Sequence, residues 1–180
     1  TLGLDRHYSS DGGVAVVVAL AGEGDSKKTG FTFKIAREPG DIDVSALGKE
    51  ASKRAIDQLG AGRVKSGKYR VLFRNDMFGQ LFATFTSMYS AENVQKGLSI
   101  IAGKEGTKIA SELLTVYDDP LLPISPNSRP FDDEGVPTVK KTLVENGVLK
   151  TFLYDLKTAA KAGTKSTGNA IKSSYRAKPS

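Results

Sequence analysis

The chain has 180 residues, 39% hydrophobic and 26% charged, with 19 Gly and 7 Pro marking frequent turns, a length that sets an expectation of one domain or one domain with a loosely packed tail. The absence of Cys and the single His exclude disulfides, thiolate metal sites, cysteine nucleophiles and any site needing two imidazoles from this chain. The net charge of +6 arises from 26 basic residues interspersed with 20 acidic ones and no dense basic run, which reads as a solvated surface bias rather than a nucleic-acid footprint.

The longest apolar run, Val14 to Ala21, is strand-sized and far below the ~20 residues of a membrane span, so no membrane association is expected. The first residue is Thr1, without a basic leader or cleavage-site pattern, which fits a processed or excised chain.

Gly12-Gly13 precedes the β-branched run Val14 to Leu20, and Thr29 to Ala36 alternates Phe31, Phe33 and Ile35 on one face; together they predict two antiparallel strands. After the break at Glu38-Pro39-Gly40, Asp43 can cap a helix whose apolar positions Val44, Leu47, Ala51, Ala55 and Leu59 recur at helical steps, ending at Gly60. Lys68 to Arg74 is expected as a strand, followed by Asn75 or Asp76 capping a helix from Met77 to Met88. Ser90, Asn93 and Val94 suggest a short helical turn, then comes the glycine-punctuated segment Gly97 to Gly106 and a strand at Leu113 to Tyr117.

Asp118 to Pro137 holds five of the seven prolines and reads as a long ordered loop, the kind that often carries function. Lys140 to Val144 and Val148 to Tyr154 flank Glu145-Asn146-Gly147, whose Asn-Gly pair supplies the positive φ angles of a tight hairpin. Asp155 can cap a helix over Leu156 to Ala162, stopped by Gly163, and the polar stretch Thr164 to Ser180 is expected to need a partner or further chain to order it. Hairpin spacing rather than crossover spacing predicts an α+β fold, with a mixed, largely antiparallel sheet, hairpins and packed helices.

Asp132-Asp133-Glu134, with Asp118-Asp119 upstream, could gather around a hard cation or form a peptidase site. Three adjacent acids cannot all point inward, and the simpler reading is a loop whose carboxylates cap backbone amides or meet Lys and Arg. Neither Gly103-Lys104-Glu105-Gly106 nor Lys165-Ser166-Thr167-Gly168 completes a phosphate loop, and Gly60-Ala61-Gly62 ends a helix where a dinucleotide fingerprint must begin one. His7 reads as a surface residue, and Lys68, Tyr69, Arg70, Phe73 and Arg74 would divide between the two faces of a strand.

Five ordered segments together carry a specific signal: Gly60 to Tyr69, Lys96-Gly97-Leu98-Ser99, Pro130 to Thr138, Glu145 to Leu149, and Ser166-Thr167-Gly168-Asn169-Ala170. In this order they resemble the TldD/PmbA proteins, often labelled modulators of DNA gyrase. The likeness runs from about Ala46 to Ile171 and covers the middle of longer proteins. It implies N-terminal strands at 1–40 continuing from a preceding domain, a family core at 41–171, and a polar tail at 172–180 leading to a further domain.

By resemblance, the TldD-type subunit carries a His-Glu-x-x-x-His helix in which two imidazoles one turn apart hold zinc and the Glu activates water, completed by a distant Cys. The corresponding stretch here is Ala83-Thr84-Phe85-Thr86-Ser87-Met88, where Ala83 and Met88 replace the imidazoles and Thr84 the carboxylate. The resemblance is therefore to the metal-free PmbA/TldE type, with no cofactor in this chain and zinc in a TldD-like partner. Leu81, Phe82, Phe85 and Met88 suit helical packing, so the former catalytic position is expected to serve as core.

Such a subunit would be cytoplasmic, would pair with a TldD-like metalloprotease or with itself, and would help degrade or trim unfolded peptides held in extended form. Phe131, Asp132, Asp133, Glu134 and Gly135, with Ser166, Thr167, Gly168 and Asn169, are the candidates for contact with peptide or partner. A nucleic-acid or gyrase module is the alternative suggested by the label and the charge, but no groove-reading motif is present.

Overall fold

The computed structural model describes residues 3–123, 125, 127–174, 176–177 and 179. The fold is α+β with small antiparallel sheets and several helices, and the chain divides into two compact units. One unit comprises residues 9–71 and 123–128, the other 1–8, 72–122 and 129–180.

The first unit is a hairpin covered on one face by a helix. Strands β1 (Gly13–Ala21) and β2 (Lys28–Ala36) pair antiparallel from Gly13↔Ala36 to Ala21↔Lys28, as their β-branched alternation predicts. Helix α1 (Val44–Ile56) starts where the Asp43 carboxylate accepts from Ala46 N–H at 2.9 Å. Its completely buried residues are the small ones, Ala51 and Ala55, which meet the face of β2 that carries Gly30 and Thr32. A Cβ on Gly30 would overlap the Ala51 carbonyl and the Ala55 N–H, so sheet and helix meet backbone to backbone. Arg54 and Gln58 complete the seam by donating to the Phe31 and Thr29 carbonyls at 2.8 and 2.9 Å.

The second unit is built around sheet β3 (Val116–Asp118), β4 (Lys141–Glu145) and β5 (Val148–Leu149), ordered β3-β4-β5 and antiparallel throughout. Asn146 and Gly147 adopt φ values of 48° and 79°, the tight-turn geometry their sequence predicts. Tyr89, Ala91, Ile101, Leu143, Val144, Leu149 and Phe152 form the core, with Phe82, Met88 and Val94 packed against it. Helices α2 (Asn75–Ala83) and α3 (Ala91–Gln95) frame that core, joined by a 3-10 turn over Thr86–Tyr89. Helix α4 (Leu156–Ala162) opens with a reciprocal capping box between Asp155 and Thr158 and stops at Gly163 with φ 65°.

Five expectations are corrected. The helix expected to run to Gly60 ends at Ile56, where Gln58 and Leu59 N–H turn back to the Ala55 and Ile56 carbonyls and close tighter turns. No strand forms over Lys68 to Arg74: Val71, Leu72 and Phe73 are exposed, and a short apolar run becomes a strand only where a ladder partner accepts its backbone. The helix expected from Met77 to Met88 starts two residues earlier and ends at Ala83, because the Thr84 and Thr86 hydroxyls bond back to the Gln80 and Ala83 carbonyls and favour a tighter turn. The strand expected at Leu113 to Tyr117 shifts to Val116–Asp118, since Leu114 N–H is held in a turn by the Ser111 carbonyl. The second hairpin arm ends at Leu149 rather than Tyr154, and Leu153 instead forms an isolated parallel bridge with Ser90.

Replacing Gly30 by Ala should force α1 away from the sheet and destabilise the chain by about 2 kcal/mol or more, read by denaturant unfolding with α1 helicity followed by circular dichroism. Burial also raises the Tyr89 phenol above its ordinary pKa of 10.0, so its contribution to stability is complete below that value and is lost as pH rises toward and through the folded-state value. Tyr89→Phe should therefore lose less stability than the parent between neutral pH and the alkaline limit, measured by unfolding at matched pH values.

Candidate functional site

Both candidate loops lie in the second unit, and its local chemistry explains their positions. In the Phe131 to Thr138 loop, Asp132 is only 2% exposed. Its Oδ1 accepts from Glu134 N–H at 3.0 Å and Val136 N–H at 2.9 Å, while Gly135, at φ 80°, lets the chain fold over the carboxylate. Its Oδ2 reaches the other loop and accepts from Ala170 N–H at 3.0 Å. Asp133 adds a backbone bond to the Ala170 carbonyl at 3.2 Å and accepts from Lys172 N–H at 2.6 Å, with Arg129 at 3.2 Å on its other oxygen.

The Ser166 to Ala170 loop is thereby ordered from within the chain, contrary to the expectation for the polar stretch that begins at Thr164. Thr167 exchanges bonds with Tyr154: its N–H donates to the Tyr154 carbonyl at 3.0 Å and its hydroxyl accepts from Tyr154 N–H at 2.7 Å. Ser166 donates to the same carbonyl at 3.1 Å and accepts from Gly168 N–H at 3.2 Å. Gly168 has φ 71°, and a Cβ there would stand 2.6 Å from the Pro137 carbonyl, so the two loops touch through a glycine. Part of the predicted tail, Ser173 to Ser180, includes Tyr175, Lys178 and Ser180, which lie outside the described residues.

A compact polar group anchors this arrangement to the sheet. Lys141 Nζ lies 2.7 Å from Asp118 Oδ2 and 3.0 Å from Asn169 Oδ1, and the Asn169 amide donates to Asp118 at 2.8 Å. Thr167 donates to Asn169 Oδ1 at 2.8 Å. The Lys141 side chain is only 10% exposed, so its ammonium needs these oxygens in place of water.

The acidic residues do not converge. Asp119 pairs with Lys140 at 3.2 Å, and Glu134 accepts from Leu156 N–H at 2.8 Å at the start of α4. Each carboxylate thus has its own amide or cation. Among the described residues, no group of three or more His, Cys, Asp or Glu is placed to hold a metal ion.

The stretch aligned by resemblance with a zinc helix spans the end of α2 and the 3-10 turn. Ala83 is the last residue of α2, Thr84 is its C-cap, and Met88 packs on the core beside Phe82 and Tyr89, whose rings lie 6.3 Å apart. Phe82 and Met88 thus fulfil the expectation of core packing, while Leu81 and Phe85 are nearly half exposed and do not. A methyl, a hydroxyl and a thioether do not supply the imidazole and carboxylate donors of a hydrolytic zinc site, so the residues present do not fit that metal.

Beside this turn lies a cleft of about 170 Å³ lined by Thr86, Ser90, Glu92, Leu153, Thr158 and Asn169. It brings the 3-10 turn after α2 and the Ser166 to Ala170 loop to one surface. Its carboxylates are already engaged, Glu92 with Lys96 at 3.0 Å and Asp155 in the α4 capping box. On another side of the Phe131 to Gly135 loop a wider, shallower depression is bounded by Arg6, Asp133, Glu134 and Lys172. There the Arg6 guanidinium sits over the Phe131 ring at 5.8 Å, and Tyr8 meets the same ring edge-on at 5.3 Å.

Thr86, Ser90, Glu92 and Lys141 are the residues that sequence reasoning missed. The alternation of β4 carries a signal for Lys141, since it shares a strand face with buried Leu143 and so requires a counter-charge. Thr86 and Glu92 carry no comparable local signal.

Removing the Asp132 carboxylate with Asp132→Ala would leave three amides without their acceptor and should destabilise this unit by about 3 kcal/mol, measured by chemical denaturation. Hydrogen exchange should accelerate first at Glu134, Val136 and Ala170.

Comparison with known proteins agrees with this architecture. Residues 66–180 match the model of the PmbA/TldA metallopeptidase C-terminal domain. A Methanocaldococcus jannaschii protein is 42% identical over 135 residues, covering 73% of this chain and 32% of its own length, so the chain spans about a third of that relative. The crystal structure of a candidate modulator of a DNA gyrase from Thermotoga maritima superposes with a TM-score of 0.91 at 44% identity, covering 98% of this chain and 41% of the other. The crystal structure of TldE from Thermococcus kodakarensis superposes with a TM-score of 0.75 at 31% identity, covering 93% of this chain and 38% of the other. With the two motif loops clasped together and the family model covering most of its length, the chain belongs to the PmbA/TldD metallopeptidase family.

Proposed function

We propose that this chain is the family core of a PmbA/TldE-like subunit, which assists a TldD-type metalloprotease in trimming or degrading unfolded peptides and does not carry the zinc site itself. The observation that carries this reading is the replacement of the expected metal-binding helix by Ala83, Thr84 and Met88, with the Met88 thioether committed to the core. The likeness to a structure named TldE supports the same assignment.

In this reading residues 1–40 lead in from a preceding domain, 41–171 form the core, and 172–180 lead onward. The surviving loops keep a shaped surface beside the altered helix. Thr86, Ser90 and Asn169 line it with short polar side chains, alongside the apolar Leu153. Groups of this kind suit an extended peptide recognised mainly through its backbone, with little dependence on sequence. The partner would supply zinc and the activated water, and this chain would position the peptide and complete the enclosure.

Metal content and cleavage of an unfolded peptide decide the matter, measured for this chain alone, for a TldD-type subunit alone, and for the mixture. The expected result is substoichiometric zinc and no cleavage by this chain alone, with cleavage by the mixture exceeding that of the TldD-type subunit. Chelator-sensitive cleavage by this chain alone would overturn the reading.

A further inference from the structure

Asn169 is partly buried and lines the cleft beside the 3-10 turn. Most of its carboxamide is already engaged from within the chain. Oδ1 accepts from Lys141 Nζ at 3.0 Å and from the Thr167 hydroxyl at 2.8 Å, which fills both lone pairs. One amide N–H donates to Asp118 Oδ2 at 2.8 Å, and the second has no partner among the described residues. The two ends of this amide cannot exchange. The Lys141 ammonium offers only donors and the ionised Asp118 carboxylate only acceptors. These residues are register partners across β3 and β4, and their charged ends lie 2.7 Å apart, so the sheet holds cation and anion in a fixed order beside the amide. Turning the amide over would set its nitrogen 3.0 Å from the ammonium and its oxygen 2.8 Å from the carboxylate, two repulsions in place of two charge-assisted bonds. The Thr167 hydroxyl is anchored in turn, accepting from Tyr154 N–H at 2.7 Å.

We propose that Asn169 presents one fixed N–H donor to the cleft, that Lys141 is the positioning residue that fixes it, and that the ligand is an uncharged main-chain carbonyl of an internal peptide segment. The inference rests on the reading of the cleft as a peptide surface and adds the polarity and charge of the group bound there. A carboxamide free to turn serves donors and acceptors alike, whereas this one serves acceptors alone.

Among acceptors, a carboxylate is disfavoured. The charged residues lining the cleft are Glu92 and Asp155, both acidic, and no described Lys or Arg lines it. Glu92 lies 3.0 Å from Lys96 and Asp155 is spent in the α4 capping box, so neither is left to receive a cationic group. A neutral carbonyl oxygen meets both conditions, and every residue of an extended peptide carries one, which accords with recognition through the backbone. The terminal carboxylate of a peptide is the exception, so the cleft favours interior segments over chain ends.

Side-chain amide NMR of the nitrogen-15-labelled chain tests the geometry without any partner. The Asn169 amide should be as rigid as ordered backbone, with an order parameter of about 0.85. Adding an unstructured peptide acetylated and amidated at its ends should shift one Asn169 amide proton and leave in place its mate, which is bound to Asp118. Acetate, which carries a similar oxygen with a charge, should shift neither. Lys141→Met should lower the order parameter, and Lys141→Arg, which keeps a cation in place, should restore it. In the mixture with a TldD-type subunit, Asn169→Ala should raise KM for an unfolded peptide about fivefold with kcat unchanged, the size of one lost hydrogen bond. An Asn169 amide that reorients freely in the parent would overturn the proposal. So would an amide that ignores the capped peptide or answers acetate equally, or an Asn169→Ala variant with the parent's KM. Failure of the mixture to exceed the TldD-type subunit would instead overturn the peptidase-subunit reading, and the NMR measurements would still decide the role of Asn169.

Discussion

The arrangement of the candidate site depends on one buried carboxylate. Asp132 is nearly inaccessible to water and is surrounded by backbone N–H groups: Glu134 and Val136 from its own loop and Ala170 from the other. A buried acid without partners is strongly unfavourable, and one that accepts several amide hydrogens is held firmly in place. The consequence is directional. Once Asp132 points inward, its neighbours must point elsewhere, and Asp133 and Glu134 turn to Lys172 N–H and Leu156 N–H. Three consecutive acids, which on paper suggest a cation site, become a fastener joining a loop, a second loop and the start of a helix.

The same logic applies at the end of α2. Zinc-binding imidazoles and an ionised glutamate would have to face a solvated, polar space. At Ala83 and Met88 the side chains have no such requirement, and Met88 joins Phe82 and Tyr89 on the hydrophobic core. The hydroxyls of Thr84 and Thr86 are satisfied by carbonyls of the preceding turn, which shortens the helix and sends the chain into the 3-10 turn. Ala83, Thr84 and Met88 therefore present no zinc donor set, and the backbone that carries them tightens into the 3-10 turn.

Elements governed by contacts within a few residues were legible in the sequence. Asn146-Gly147 determines its hairpin through positive φ angles, and Asp155 and Gly163 bound α4 through a capping box and a left-handed stop. Elements governed by distant partners were not. Lys68 to Arg74 has strand composition but no ladder partner among the described residues, and the stretch from Thr164 lacks apolar periodicity because its order comes from hydrogen bonds to Tyr154, Asp118 and Asp132. For the site, the motif loops were identified by resemblance and the capping role of the acids by their crowding. The way Lys141 and Asn169 share Asp118 depends on pairings across tens of residues that no local pattern records.

The hairpin unit shows how a sheet can read as strongly β from sequence and still carry two different packing instructions. On the α1 side the residues are small, and Gly30 admits the helix so closely that backbone meets backbone. That contact buries little side-chain surface per residue, because alanine and glycine have little to offer, and it gains its cohesion from proximity and from the Arg54 and Gln58 bonds. The large side chains, Val14 through Leu20 on alternate positions with Phe31 and Phe33, are directed to the other face. Period-two alternation would ordinarily place polar groups there if water were the intended neighbour. Small residues facing the helix and large apolar residues facing outward give this sheet two apolar faces of different grain, of which α1 covers the fine-grained one.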